Sequence, residues 1–279
     1  MAYRLYQLSG VTGVQMMSYI LLTPAGGVYV IDGGYDADAE ALARRIREVS
    51  GGGVVHGWFL THPHSDHIHA LLHLLENSPD ACTSEDTLDI RKIYYNLPDP
   101  EWFRRFRRAD SEYDTVLRLE RAIPLMGERG VVVHDGEDYE EGDLSWRILS
   151  EPDTRIPVNP NNNASVVVKF RLGSKTLLIT GDIGVEGAAI VLAHHRDELR
   201  SDIVEMSHHG QNGASREFYE AVHPSICLWP TPGWLWDNDA GNGYDSHEWK
   251  TIVVRGWMSE MGVRQHLVAK DGDQMLEIE

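Results

Sequence analysis

The sequence predicts an α/β fold, and three observations predict it. Residues 14–75 alternate strand, helix, strand and helix, the pattern of a sheet covered by helices. Three separate apolar, β-branched runs end in acid or imidazole, at Thr61–His67, Thr180–Asp182 and Ser207–Gly210. In open α/β sheets, sites assemble at the C-terminal ends of strands. No repeat, low-complexity linker or composition break divides the 279 residues, so one domain over residues 1–279 is expected.

Residues 14–23 and 28–31 read as a hairpin turning at Ala25-Gly26-Gly27. Its second strand ends at Ile31-Asp32-Gly33-Gly34, where Asp32 is either functional or an Asx-turn residue. Ala37–Val49 places Leu42 and Ile46 four apart among arginines and reads as an amphipathic helix ended by Gly51-Gly52-Gly53. Val54–Leu60 reads as a buried strand and Ile68–Leu75 as a helix.

Between them lies Thr61-His62-Pro63-His64-Ser65-Asp66-His67, with four metal-binding side chains in six residues. On a strand-to-helix loop, His62 and His64 can point to one side. Asp66 and His67, entering the helix, can point to an adjacent position. That spacing suits two metal ions better than one. Imidazole and carboxylate ligands without thiolate suit zinc, manganese or iron.

Lys92–Tyr95 reads as a strand and residues 99–127 as a helical insertion. There Trp102, Phe103 and Phe106 interleave with Arg104, Arg105, Arg107 and Arg108, either as a solvated helix face or as a lid offering arginines to an anion. Strands follow at Val131–Val133 and Leu144–Leu149, with a short hairpin-like piece between them. The polar loop Val158–Asn163 leads to strands Ser165–Phe170 and Lys175–Thr180, then a helix over Val185–Leu199. Asp202–Met206 is a strand running into Ser207-His208-His209-Gly210. A helix over Arg216–Val222, a strand over Ile226–Trp229, a helix over Lys250–Met261 and strands at Gln265–Val268 and Met275–Ile278 complete the chain. Trp229-Pro230-Thr231-Pro232-Gly233-Trp234-Leu235-Trp236 is either a loop pinned to the core or an aromatic wall over the site.

The net charge of −18 disfavours non-specific attraction to nucleic acid or anionic membrane. A small or phosphodiester substrate is therefore expected before a nucleic acid, which would need a local basic groove. Two cysteines, Cys82 and Cys227, suggest no disulfide framework. The start, Met1–Tyr6, lacks a signal peptide's apolar core, and no run approaches the roughly 18 apolar residues of a membrane span. A soluble cytoplasmic protein is expected.

With Asp32, His-x-His-x-Asp-His, Thr-Gly-Asp and Ser-His-His-Gly in this order, the chain resembles the metallo-β-lactamase superfamily of hydrolases. The resemblance runs from Asp32 to the last strand. It implies a four-layer αββα sandwich with two divalent metals along one edge, zinc foremost and manganese or iron as alternatives. It implies that His62 and His64 hold the first metal, that Asp66 and His67 hold the second, and that Asp182 bridges them. His209 matches the late histidine ligand, with His208 as its competitor. Asp32 and Asn163 would support the ligands by hydrogen bonds.

Most members carry a further histidine before the Thr-Gly-Asp strand, often beside glycine. His73 and His134 lie in that interval, and neither has that setting. Instead, Asn161-Asn162-Asn163-Ala164-Ser165 precedes the strand. With Asn163-x-Ser165, Gly181-Asp182, His208-His209-Gly210 and a late His247, the chain looks like the branch holding the nuclease-like domains of bacterial competence proteins, and it resembles phosphorylcholine esterases. That branch implies phosphodiester hydrolysis by water activated on the metals, with Asp66, His208 and His247 as catalytic residues. An ester, lactone or amide hydrolase and a non-catalytic metal-binding domain are the alternatives.

Overall fold

A computed structural model describes residues 2–77, 88–99, 101–102 and 111–279. In chain order the strands are β1 (Tyr3–Gln7), β2 (Ser18–Leu22), β3 (Val28–Asp32), β4 (Val54–Val55), β5 (Gly57–Phe59), β6 (Asp89–Ile90), β7 (Ile93–Tyr95) and β8 (Gly130–Val132). They continue with β9 (Asp138–Glu141), β10 (Leu144–Ile148), β11 (Val168–Leu172), β12 (Lys175–Ile179), β13 (Ile203–Glu205), β14 (Ile226–Trp229), β15 (Gln265–Val268) and β16 (Gln274–Ile278). One sheet has the order β16-β1-β2-β3-β5-β7-β8 and the other β15-β14-β13-β12-β11-β10-β9.

The two sheets pack face to face. Tyr19, Leu21, Ile31 and Phe59 of the first meet Trp146, Phe170, Leu177 and Leu228 of the second in one core. Phe59 meets Phe170 edge-on at 5.0 Å between ring centres. The outer face of the first sheet is covered by α1 (Ala39–Ser50), α2 (Ser65–Asn77) and α3 (Ser111–Met126), through Leu42, Ile46, Leu71 and Leu119. The second sheet's outer face is covered by the helices Val185–His195, Arg216–Val222 and Thr251–Glu260. These are the four layers, αββα. Strands β2 and β3 are buried at every position because both faces of their sheet are covered.

Direction places the site. β3, β5 and β7 run parallel in one sheet, and β12, β13, β14 and β15 in the other. Asp32 ends β3, and Thr61, Asp182 and Ser207 follow the C-terminal ends of β5, β12 and β13. Backbone bonds join those ends, from Val166 N to Thr61 O at 2.8 Å and from His208 N to Gly181 O at 3.0 Å.

Three elements differ from expectation. The run Val54–Leu60 breaks at His56, whose Nδ1 accepts from Val28 N at 3.0 Å, so β4 pairs with β6 and only β5 enters the large sheet. The strand expected from Ser165 starts at Val168, because Pro160–Asn163 makes a helical turn and Val166 N is spent on Thr61. The helix from Val185 ends at His195, and a 3₁₀ turn carries the chain through Glu198. Phe103–Arg108, with its four arginines, lies outside the described residues, as does Cys82. Cys227 is a buried free thiol. Among the described residues no helix is long and apolar enough to cross a membrane.

Candidate metal centre

The motif loop and the start of α2 present His62, His64, Asp66 and His67, and Asp182 and His209 come from the facing sheet. Of these, His62, Asp66, His67, Asp182 and His209 are buried. Two sets of donor atoms converge, His62 with His67 and Asp182, and Asp66 with His67 and His209, each set within 4.8 Å. His64 Nδ1 lies 3.0 Å from His62 Nε2. His62 Nε2 is 3.6 Å from Asp182 Oδ2, and His67 Nε2 is 3.3 Å from Asp182 Oδ1. His209 Nε2 is 3.1 Å from Asp66 Oδ2 and 3.6 Å from Asp182 Oδ2.

The outer nitrogens explain why Nε2 faces inward. His67 Nδ1–H donates to Asp32 Oδ2 at 2.6 Å. His62 Nδ1–H donates to Thr61 Oγ1 at 3.1 Å, and the Thr61 hydroxyl in turn donates to Asp32 Oδ2 at 2.6 Å. His209 Nδ1–H donates to the carbonyl of Pro230 at 3.0 Å. Each of these rings therefore turns Nε2 to the interior, the nitrogen that a metal ligand presents once deprotonated. Asp182 Oδ1 is buried with no hydrogen-bond donor. Inward lone pairs, carboxylates and this undonated oxygen fit a pair of divalent metals.

Electrostatics agree. Burial pushes His62 well below the usual imidazole range. Burial would lower His67 too, but the carboxylates of Asp182, Asp32 and Asp66 outweigh it and hold it well above that range. His209 is raised in the same way, with Asp182 and Asp66 overcoming burial. Burial opposes ionisation of Asp182, but the surrounding imidazoles win and hold it well below the usual carboxylate range.

His208 flanks this group. Its Nδ1–H donates to Asn212 O at 3.1 Å, and its Nε2 is 3.9 Å from Asp182 Oδ2. Asn163 serves the loop after Asp182, since its Oδ1 accepts from Gly184 N at 3.0 Å and Gly187 N at 2.9 Å. His247 stacks on Trp249 at 3.6 Å between ring centres, and its backbone bonds to Asn238. Of the other two histidines, His73 faces Asp36 and His134 faces Glu151. Trp234 donates to Gly13 O at 3.2 Å. Trp236 is covered by the Arg255 guanidinium at 4.0 Å and so is packed rather than open.

Sequence reasoning missed three supports. In the sequence Thr61 stands only as the residue before the histidines. Pro230 carries no signal for its carbonyl. Glu205, an acid in an apolar strand, was the one detectable case; it is buried and accepts from Thr180 N at 2.9 Å and Thr180 Oγ1 at 2.8 Å.

The metallo-β-lactamase superfamily model matches residues 12–222, through the motif loop, Asp182 and His209. The chain belongs to the metallo-β-lactamase superfamily. Among curated proteins, ComE operon protein 3 of Bacillus subtilis is 26% identical over 113 residues. That match covers 39% of this chain and 14% of the relative, so the chain spans only a small part of that protein's length. Among solved structures, the metallo-β-lactamase fold protein YhfI from Bacillus subtilis superposes with a TM-score of 0.59 at 13% identity, covering 99% of this chain and 100% of that one. A diphosphatase of the PhnP family gives a TM-score of 0.50 at 14% identity, covering 100% of this chain and 98% of that one.

Proposed function

We propose that this chain is a dinuclear-metal hydrolase acting on a phosphodiester. The observation that carries the reading is Asp182, whose Oδ1 faces His67 and whose Oδ2 faces both His62 and His209. A carboxylate placed between two sets of nitrogen donors is what two adjacent metals require. His62 and His64 would hold the first metal, Asp66, His67 and His209 would hold the second, and Asp182 would serve both. Zinc is the first choice for this donor set, with manganese or iron as alternatives. When bound, two such metals supply activated water near neutral pH and a Lewis acid for a developing oxyanion.

The rest falls to side chains. Asp32 and Thr61 hold His67 and His62 in their ligand tautomers, and Asn163 steadies the loop after Asp182. His208 lines the centre beside Asp182, and His247 meets substrate from its loop and handles the proton that goes to the leaving oxygen. The two sheets enclose one site, so the chain works as a single domain. Phosphodiester cleavage is favoured by the resemblance to competence nuclease-like domains and phosphorylcholine esterases and by the fold shared with a diphosphatase. The charge of −18 favours a small substrate over a nucleic acid.

The test is elemental analysis beside hydrolysis of bis-p-nitrophenyl phosphate with zinc, manganese or iron. Two metals per chain and turnover abolished by chelator are expected. Turnover confined to carboxylic esters or lactones would replace the phosphodiester reading. No metal uptake after loading would sink the hydrolase reading itself.

A further inference from the structure

The two metal positions are unequally supplied. The second draws on Asp66, His67, His209 and the shared Asp182, while His62, His64 and the same Asp182 serve the first. Four protein or solvent donors are usual around such metals. The histidines in the interval where another ligand would be expected are engaged elsewhere, His69 with Thr115 and Asp36, His73 with Asp36 and His134 with Glu151.

We infer that Asn162 supplies a side-chain oxygen to the first metal position. The inference rests on the metal-centre reading above and deepens it. Asn162 sits in the helical turn Pro160–Asn163, which is tied to the site on its C-terminal side. Ser165 Oγ accepts from Asp182 N at 3.0 Å, and Val166 N donates to Thr61 O, the residue before His62. The Asn162 side chain is 3% exposed, as deep as the ligands.

Its orientation is determined by a neighbour. His208 spends its Nδ1–H on Asn212, so its Nε2 accepts a hydrogen bond. Asn162 Nδ2 is the donor, at 3.1 Å. That bond sets the nitrogen against His208, which is itself 3.9 Å from Asp182 Oδ2, and leaves the carbonyl end free. Asn162 Oδ1 is buried without a donor, as is Asp182 Oδ1. Leaving a buried amide oxygen without a partner costs its full desolvation. Asn163 next door shows the contrast, with Oδ1 accepting two backbone N–H groups. A cation at the first position would give this undonated oxygen a partner. An amide oxygen is a harder ligand than imidazole, so this position should tolerate manganese or iron(II) better than an all-imidazole site would.

The test uses the full chain and three variants, Asn162→Ala, Asn162→Asp and Asn162→His. Metal content and calorimetric titration with Zn²⁺ and Mn²⁺ are the readouts, independent of turnover. Asn162→Ala should weaken one of two binding events by about 10- to 100-fold, the range seen when a metal site loses a supporting group, and leave the other near wild type. The isosteric Asn162→Asp should bind both metals at least as tightly as wild type and Mn²⁺ more so. Asn162→His should shift the preference toward Zn²⁺. Wild-type affinities and preference in both the Ala and Asp variants would overturn the inference while leaving the metal centre intact. If Asn162→Ala does not fold, an Asn162→Asp titration identical to wild type overturns it alone. A wild-type chain that takes up no metal would instead overturn the metal-centre reading, and this inference with it.

Discussion

Asp32 accepts the Nδ1–H of His67 at 2.6 Å, with both side chains fully out of water. The same carboxylate takes the Thr61 backbone N–H at 2.9 Å and, through the Thr61 hydroxyl, steadies His62. One acid from the first sheet therefore sets two imidazoles. Asp32→Asn keeps the shape, and asparagine accepts the left-handed φ of +52° found there. It removes the charge that orients His67. Metal affinity should fall about 10- to 100-fold with little change in fold. Titration beside a circular dichroism spectrum checks this, and unchanged affinity would show that Asp32 is only a turn residue.

Metal uptake should expel protons. Without metal, the carboxylates of Asp182 and Asp66 overcome burial and hold His67 and His209 above the ordinary imidazole value, so a metal that takes their Nε2 competes with protons. Burial keeps His62 uncharged near neutral pH. Affinity should therefore drop as pH falls, by about tenfold per unit for each displaced proton. Calorimetry in two buffers of different ionisation enthalpy measures the release. A heat independent of buffer at pH 7 would contradict it.

Glu205 gives a stability prediction with a defined sign. Burial pushes its carboxyl up to about 7, against the lowering effect of Thr180's hydrogen bonds. A folded value above the unfolded one stabilises the fold at pH below about 4.5, and that contribution is lost as pH rises through about 7. In chelator-treated protein, Glu205→Gln should gain on wild type by up to about 3 kcal/mol between pH 5 and pH 8. Thermal melts at the two pH values decide it, and a constant difference would remove the explanation.

Gly210→Ala should be costly. Gly210 has φ of +77°, and an added Cβ would overlap the indole of Trp229. Left-handed strain and overpacking each cost about 1–3 kcal/mol. The loop carrying His209 would shift, so both the melting temperature and the tighter metal affinity should fall. A variant that melts like wild type would show that the loop has room to spare.

Much of this site was legible because metal chemistry constrains spacing. His62, His64, Asp66 and His67 sit within one loop and helix turn, so their convergence follows from local geometry. Asp182 and His209 were legible for another reason, each lying just past the end of an apolar strand. Asn162 was not, since it is Asn163 that fits the Asn-x-Ser pattern. Only the packing separates them, with Asn163 accepting from Gly184 and Gly187 and Asn162 turned toward His208. The break at His56 was hidden too, because an apolar run does not say which sheet each half joins.

The sequence by itself determined the α/β class, most strand and helix positions and the donor types of the centre, because periodicity and strand-end motifs act over a few residues. Tertiary structure decided which nitrogen each histidine presents and which carboxylate lies between the donor sets. Those depend on oxygens brought from far along the chain, Asp32 to His67 and Pro230 to His209. A ring's tautomer follows its hydrogen-bond partner, and the facing of the two sheets selects that partner.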